Sequence, residues 1–513
     1  MGLSAVSDQQ SENSLKTLYM NNNRRVLLIY PRHTKGWQAQ PWIDMPMGLL
    51  CIATPVHFAG YDVRIIDQRL EPRWRAILQE ELDRNPVCIG ISSTTGPQLQ
   101  YALEISRIAK ENGNAPVVWG GVHPSILPEQ TLENRHIDIV VQGEGEETFL
   151  ELVKALDTKD SPSTVKGIWY KDNGRIRHTG DRQFIDLDKQ PPLAYHLIEP
   201  RKYIRRVFGV ERLSFITSRG CPEECTFCFN SVFDRRRWRS MDADIAVQRM
   251  KDFVNRYNVK GVFIIDSNFF VNMDWGRRVL EAIIREDMNI VITRIHISFN
   301  TLRKMNDDDF ALLQRAGCKC ISIGIESGSE RIRTLLKKQI DVPRLIEINR
   351  NLKKFSIMPL YFFMIGFPTE TKEDLAETVS LFRTLVKENP RASKSVNIYT
   401  PFPGTELYAL AVKCGLDVPQ RTEDWVRFNY RNFTRNAPWA SKDMRKLIEV
   451  LDFCSFFADE RSYVQPFKET NKLVVLLSQL YAPLARKRVE KLLYKFSIEV
   501  KLAKLLGLYA KQE

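Results

Sequence analysis

SRGCPEECTFCFN, running from Ser218 to Asn230, decides the reading of this 513-residue chain. It follows directly on ERLSFIT (211–217), a short run that reads as a strand. Cys221, Cys225 and Cys228 therefore share one loop at a strand end. Thiolates hold iron–sulfur clusters, and four irons normally need four protein ligands. Three close cysteines without a fourth leave one iron open to a small molecule. A zinc site would want four protein ligands. Cys318 and Cys320 could donate, but their alternation in CKCISIGI (318–325) suits strand residues better. Nine cysteines in a chain this long are too sparse for a disulfide scaffold, and three within one short loop point to a metal or cluster in a reducing compartment.

Toward the C-terminus, ERLSFITSRG is followed by GVFIID, IVITRIHIS, CISIGIE, LYFFMIGFP and SVNIYTPFP. These six strand-like segments, each but the last followed by a helical one, predict a partial (β/α)6 barrel of the TIM type over 211–410. Such barrels keep their chemistry at the carboxyl ends of the strands. Toward the N-terminus, RRVLLIYP (24–31), YDVRIID, PVCIGISS (86–93), APVVWGG (115–121) and IDIVVQGEG (137–145) alternate with helical stretches such as QLQYALEISRIAKENG. That alternation predicts a doubly wound, Rossmann-like α/β domain over 24–160, with ligands at strand ends rich in Gly and Ser. Residues 161–210 are expected to be a polar linker with a hairpin at KDNGRI. Residues 1–23 are expected to be a flexible N-terminus, and 411–513 a helical, basic C-terminal region.

Apolar content of 43% and charged content of 27% are those of a globular protein, not a disordered or fibrous one. A net charge of +13 favours nucleic acid, an anionic membrane surface or phosphorylated ligands. No RNA-binding module is recognisable, so nucleic acid is not expected. The polar start MGLSAVSDQQ shows no signal peptide, and its chance fit to a myristoylation pattern is discounted. No apolar run reaches the roughly 18 residues that span a bilayer. A cytoplasmic location is expected, with peripheral membrane contact left open.

The CxxxCxxC spacing, with Phe227 before the last cysteine, resembles the radical S-adenosylmethionine (SAM) superfamily, and the resemblance covers the whole barrel. It implies a 4Fe–4S cluster whose open iron is chelated by the amino and carboxylate groups of SAM. An electron from a flavodoxin- or ferredoxin-type reductant then yields methionine and a 5′-deoxyadenosyl radical. By the same resemblance, Asp266 and Asn268 in FIIDSNFF fall where the family's second strand ends beside the methionine moiety. ISIGIESGS resembles the fifth-strand motif, making Gly324 and Glu326 candidates for the adenosyl part. Arg294 and Ser298 are candidates for the carboxylate or ribose. GFPTET (366–371) and YTPFPGT (399–405) resemble later strand ends.

The N-terminal domain resembles cobalamin-binding domains, whose pattern is DxHxxG, then SxL or SxT, then GG. Ser92, Ser93 and Thr94 supply the second element, and Gly120 and Gly121 the third. The cobalamin tail threads into the sheet in that family, so small residues must line its path. PRHTKG (31–36) is a degenerate first element. It keeps His33 and Gly36 but has Pro31 where Asp belongs. His33 is a candidate cobalt ligand without the second partner that would orient its ring. His57 and His123 are read as packing or tail-contact residues.

The resemblance implies a cobalamin-dependent radical SAM methyltransferase acting on an unactivated carbon, one SAM serving as methyl source and a second as radical source. A cyclase or ring-rearranging enzyme with both cofactors is the second reading, and a non-catalytic cobalamin-binding regulator the third. In the C-terminal region Val489, Leu492, Phe496 and Val500 fall on one helical face beside Arg488, Lys491, Lys495 and Lys504. Such a helix either lies on a membrane or packs on the barrel with a solvated basic flank. The substrate is expected to be a small molecule, with a lipid-like metabolite in view.

Overall fold

The computed structural model describes residues 24–33, 43–429, 437–458 and 472–505. The expectations for residues 1–23 and for Gly36 lie outside these residues. The chain forms two compact units. The first contains Pro46–Lys202, the strand before it, and a returning segment, Gln420–Val426; the second contains Tyr203–Pro419 and the C-terminal helices.

In the first unit, β1 (Arg25–Tyr30), β2 (Asp62–Asp67), β3 (Cys88–Ser92), β4 (Val117–Gly120) and β5 (Ile139–Val141) are parallel, joined by helices. β1 reads RVLLIY and is buried through its middle, as expected of a strand covered on both faces. Sheet order begins β2-β1-β3-β4-β5, so β1 lies inside although it comes first. The helices are α1 (Met47–Phe58), α2 (Trp74–Leu82), α3 (Gln98–Asn112), α4 (Val122–Ile126), α5 (Pro128–Glu133) and α6 (Glu146–Thr158). Leu99, Ala102, Ile105 and Ala109 of α3 are buried at helical spacing. Its Ser106 hydroxyl accepts from the indole of the fully buried Trp119 at 2.8 Å.

Parts of the stretch expected as a linker are built into the sheets. β6 (Ile168–Asp172) and β7 (Arg175–His178) form the hairpin predicted at KDNGRI, and β6 adds antiparallel to β5. β8 (Arg205–Val207) belongs to the second unit. Asn173 and Gly174, both at positive φ, make the two-residue turn that such a hairpin needs.

In the second unit, β9 (Val210–Phe215), β12 (Gly261–Ile264), β13 (Val291–His296), β14 (Cys320–Glu326), β15 (Met358–Ile365) and β16 (Ser393–Ile398) are the six expected parallel strands. Two short strands, β10 (Ser218–Arg219) and β11 (Arg239–Ser240), pair outside that sheet. β16 and β8 are the two edges, so the barrel is partial, curled and open. Helices α7 (Ala243–Tyr257), α8 (Met273–Arg285), α9 (Asp307–Arg315), α10 (Val342–Asn351), α11 (Lys372–Glu388) and α12 (Glu406–Lys413) follow the strands. Side chains fix their starts: Asn306 with Asp309, and Thr371 with Asp374, each form a reciprocal cap. Helices α13 (Lys442–Ala458), α14 (Lys472–Glu490) and α15 (Ile498–Leu505) complete the helical C-terminal region.

The C-terminal periodicity is not one helix. α14 stops at Glu490, and Leu492 and Phe496 take left-handed φ of 50° and 55°. Val489, Leu492 and Val500 turn inward and are buried, whereas Phe496 is 84% exposed. Arg488 is itself buried, its guanidinium donating to the carbonyls of Leu493, Lys495 and Phe496. By capturing those carbonyls it replaces the helical hydrogen bonds that would have continued the turn.

Candidate functional site

The cysteine loop is fixed at both ends. At its base Asp266, buried just past β12, accepts from Thr217 N at 2.8 Å, Thr217 Oγ1 at 2.5 Å and Ser218 Oγ at 2.6 Å. The chain then turns at Gly220 with φ 81°, where a Cβ would lie 1.9 Å from the Arg237 carbonyl oxygen; only glycine fits. At mid-loop, Thr226 N donates to Leu336 O, Thr226 Oγ1 to Leu335 O, and its own carbonyl accepts from Leu407 N. Phe227 packs against a buried cluster of Ile332, Leu336, Phe367, Tyr399 and Leu407. The aromatic between the cysteines is thus an anchor, pinning the loop to the helix after β14 and to α12.

Burial pushes the Cys221 thiol up to about 11 and Cys228 up to about 12, and raises Cys225 also. Thiols so disfavoured as free anions ionise when they ligate a cation, whose charge reverses the local preference. Lys338 lies beside them. Burial works against its ammonium, but Cys225, Glu326 and Glu223 together raise its pKa, so it stays charged. Its Nζ sits 3.5 Å from Glu326 Oε1 and 3.3 Å from Gly324 O. Glu326 has φ 66°, and a Cβ on Gly324 would come within 2.4 Å of its carboxylate. Gly324 therefore makes room for the Glu326–Lys338 pair. Burial raises the Glu326 pKa, opposed by Lys338.

Glu223, inside CPEEC, ties the loop to the end of β13. It accepts from Ser298 Oγ at 2.8 Å and from Asn300 Nδ2 at 2.7 Å. Ser298 N in turn donates to Asn268 Oδ1 at 3.2 Å. Asn268, Ser298 and Glu223 form one chain of contacts, and the buried Asn300 Oδ1 has no partner. A cavity of about 760 Å³ opens here, lined among others by Pro222, Glu223, Asn300, Arg333 and Lys338. Arg294 stands with a different group. Its guanidinium lies 4.0 Å from the Phe263 ring centre and, with Arg212, acts on Asp44. Among the described residues no three His, Cys, Asp or Glu side chains converge as one zinc ion would require.

In the first unit the rim lies past β3 and β4. Gly121 has φ 97°, and a Cβ there would be 2.7 Å from Ser93 O. Ser92 and Ser93 border it, and the fully buried Ser93 Oγ has no partner. Thr94 N and Oγ1 both donate to Gln98 Oε1. His123, fully buried, has Nδ1 3.0 Å from Thr95 Oγ1, while its Nε2 has no partner. Desolvation lowers its pKa to about 3, so the ring is neutral. Its ring centre lies 6.0 Å from that of Trp425 in a T-shaped pair. Trp425 returns to this unit after the barrel and donates to Gln130 Oε1 at 2.6 Å. His33 follows β1, its Nε2 3.3 Å from Tyr30 OH, and His57 contacts His196 at 3.1 Å.

Sequence reasoning named Asp266, Asn268, Ser298, Gly324 and Glu326, which the fold brings to the cysteine loop. It missed Glu223, Asn300, Lys338, Thr217 and Trp425. Glu223 carried a signal, being a carboxylate within the cysteine motif itself; Trp425 carried none, since nothing local relates it to His123.

The Radical SAM superfamily model matches residues 215–382, and the B12 binding domain model matches 45–153. An uncharacterized methyltransferase of Pyrococcus horikoshii is 30% identical over 440 residues, 84% of this chain and 91% of that protein. The chain belongs to the cobalamin-dependent radical SAM enzymes. A further relative in that comparison, the anaerobic magnesium-protoporphyrin IX monomethyl ester cyclase of Cereibacter sphaeroides, is 28% identical over 75% of this chain and 63% of that one. In fold the chain is similar to the radical SAM methyltransferase TsrM of Kitasatospora setae, solved with cobalamin and a [4Fe-4S] cluster (TM-score 0.62, 19% identity, 77% of this chain and 75% of that one).

The residues present fit the cofactors of this radical SAM family: a 4Fe–4S cluster, SAM and cobalamin. Three free thiols on one loop suit a cluster with one open iron. The Gly121 cradle, the unpartnered Ser93 hydroxyl and the unpartnered His123 Nε2 suit a large polar cofactor approaching the backbone.

Proposed function

We propose that this chain is a cobalamin-dependent C-methyltransferase that transfers a methyl group to an unactivated carbon of a small, hydrophobic metabolite. The observation that carries the reading is the cysteine loop, locked by Asp266 and Thr226, on a chain that also holds the Gly121–Ser93 rim. When bound, the cluster supplies the electron that opens SAM to a radical, and cobalamin supplies the methyl group.

The chain's own residues bind, orient and exclude water. Cys221, Cys225 and Cys228 are the cluster ligands. Asn268 and Ser298 fix Glu223 at the loop, and the unpartnered Asn300 Oδ1 suits an N–H of the SAM amino group. Glu326, held by Lys338, suits the adenosyl part, next to the space that Gly324 leaves. Arg294 serves the barrel interior through Phe263. Phe227 and its apolar cluster close one side of the loop to water, as radical chemistry requires. Ser92, Ser93, Thr94, Gly120, Gly121 and His123 would hold cobalamin, with His33 the candidate cobalt ligand. Arg235 and Arg237, exposed just beyond the cysteines, suit an acidic flavodoxin- or ferredoxin-type reductant.

The test is anaerobic reconstitution with iron, sulfide, cobalamin, SAM and a reductant, followed by mass analysis of small-molecule products. S-adenosylhomocysteine together with 5′-deoxyadenosine supports methyl transfer. 5′-Deoxyadenosine alone supports the cyclase-type reading, which the Cereibacter sphaeroides relative favours. Absence of SAM cleavage by the reduced, cluster-loaded protein overturns both and leaves a binding role.

A further inference from the structure

The C-terminal helices carry an apolar surface that the reaction does not use. Leu476, Leu480 and Leu484 are all exposed, Leu480 at 70%. They recur every fourth residue, so each is only about 40° round the helix from the last. Ala482, Ala485 and Val489 on the opposite side of α14 are buried. The strip is therefore the outward face of a helix already packed on its other side. Beyond the break, Leu493, Phe496, Ile498 and Leu502 are exposed as well, Phe496 at 84% and Ile498 at 63%.

The tip is built to hold that exposure. Phe496 adopts a left-handed φ of 55°, a conformation that bulky residues avoid. Arg488 holds it by donating to Leu493 O, Lys495 O and Phe496 O at 3.0–3.1 Å. Arg488 also pairs with Glu499, which accepts from Tyr481 OH at 3.2 Å. A buried guanidinium spent on ordering a turn, with a phenylalanine left in water, is not what burial alone would select.

Charge names the partner. Lys487, Lys491, Lys495 and Lys501 are exposed among these apolar residues. The two carboxylates of the same stretch are already engaged, Glu490 with Arg383 at 3.3 Å and Glu499 with Arg488. What remains among the described residues is an apolar strip and tip with four exposed lysines toward its C-terminal end that pair with no described carboxylate. Exposed apolar patches of this kind mark interaction surfaces, and basic rims select anionic bilayers. No helix among the described residues is long and apolar enough to cross a membrane, so the contact is peripheral.

We infer that α14, the Arg488-pinned turn and α15 form a docking surface for an anionic lipid bilayer, with Phe496 as its inserted tip. The surface shares only Phe496 with the apolar face that helical periodicity picks out, since Val489, Leu492 and Val500 of that face are buried. It stands independently of the reaction.

The experiment is vesicle co-sedimentation of the full-length protein, using phosphatidylcholine vesicles with and without a quarter phosphatidylglycerol. The protein pellets with the anionic vesicles and several-fold less with the neutral ones. Lys491→Glu and Lys495→Glu each lower the bound fraction by about fivefold or more, and added salt does likewise. Phe496→Asp combined with Leu480→Asp abolishes pelleting while far-UV circular dichroism and SAM cleavage stay unchanged, because these side chains are on the surface. Arg488→Ala, which frees the turn, weakens binding without touching a lipid-facing atom. Failure of the unaltered protein to pellet, or wild-type pelleting by the double variant, overturns the proposal. So does a concentration-dependent dimer that Phe496→Asp dissociates, since the face would then serve a second copy of the chain.

Discussion

The two units hold their candidate sites by opposite means. In the second, a named set of donors and acceptors fastens one loop: Asp266 at its base, Thr226 at its middle, Glu223 reaching across. In the first, the rim is made of what is missing, a Cβ at Gly121 and partners for Ser93 Oγ and His123 Nε2. A cluster ligated by thiols needs its ligands held in place against their own preference to stay protonated. A large organic cofactor needs room and a few unspent polar atoms. The contrast predicts that substitutions in the second unit act through chemistry and order, and those in the first through space.

The largest effect breaks the cysteine side alone. Cys221→Ala, Cys225→Ala and Cys228→Ala should each remove the cluster's visible absorption and its reduced paramagnetic signal. SAM cleavage should fall by more than about a hundredfold, past the range for losing only a metal's outer partner. Cobalamin retention on the same variants should be unchanged. Loss of both cofactors together would erase the distinction between the units.

The converse variant is Gly121→Ala. The added methyl meets Ser93 O at 2.7 Å on a backbone with φ 97°, a strain of roughly 1–3 kcal/mol before any cofactor is considered. Cobalamin affinity, read by equilibrium dialysis, should drop at least about tenfold, with cluster content intact. Wild-type affinity would mean that the rim does not approach the cofactor closely.

Asp266→Ala comes next. It leaves Thr217 N, Thr217 Oγ1 and Ser218 Oγ without their buried acceptor, for a loss of about 3 kcal/mol. Chemical denaturation should show that loss in the second unit, and hydrogen exchange should show it centred on 217–228. Asp266→Asn keeps one acceptor and should recover part of it.

The same contrast explains what could be read from sequence. Eleven parallel strands were legible because each is a short apolar run bounded by Gly, Pro or polar residues, as in RVLLIY or CISIGIE. The hairpin at KDNGRI was legible as a hairpin, but its pairing with β5 was not, since a local turn signal does not say which edge receives the strands. The cysteine loop announced itself through ligand spacing. Lys338 and Asn300 did not, because a lysine or asparagine in a helix or turn is ordinary until the fold brings it to a carboxylate. Trp425 lies about three hundred residues from His123, beyond any periodicity. The C-terminal break was hidden because its apolar spacing runs on through residues whose backbone does not.

The smallest predicted effect separates the units by acid. In the first, desolvation lowers His123 to about 3 from an ordinary 6.5, and also lowers His57 and His136. A depressed base is protonated first in the unfolded chain, so this stabilisation is complete above pH 6.5 and is lost as pH falls toward 3. From pH 6.5 to 5 His123 alone removes about 2 kcal/mol. In the second unit His296 is likewise lowered to about 3 by burial, aided by Arg294. There Glu370 runs the other way, raised by burial to about 8 from 4.5 and only partly relieved by the amides of Gly366 and Phe367. A raised acid stabilises below pH 4.5 and loses that contribution as pH rises through 8, so acidifying from pH 7 to 5 restores about 2 kcal/mol and offsets His296. The first unit should therefore open before the second between pH 7 and 5, seen as earlier amide exchange in β3 and β4 than in β14 and β15. His123→Phe should remove most of the difference by protecting the first unit, and Glu370→Gln should also remove it by making the second unit acid-labile too. Simultaneous opening of both units in the unaltered protein would show that neither buried ring governs the response.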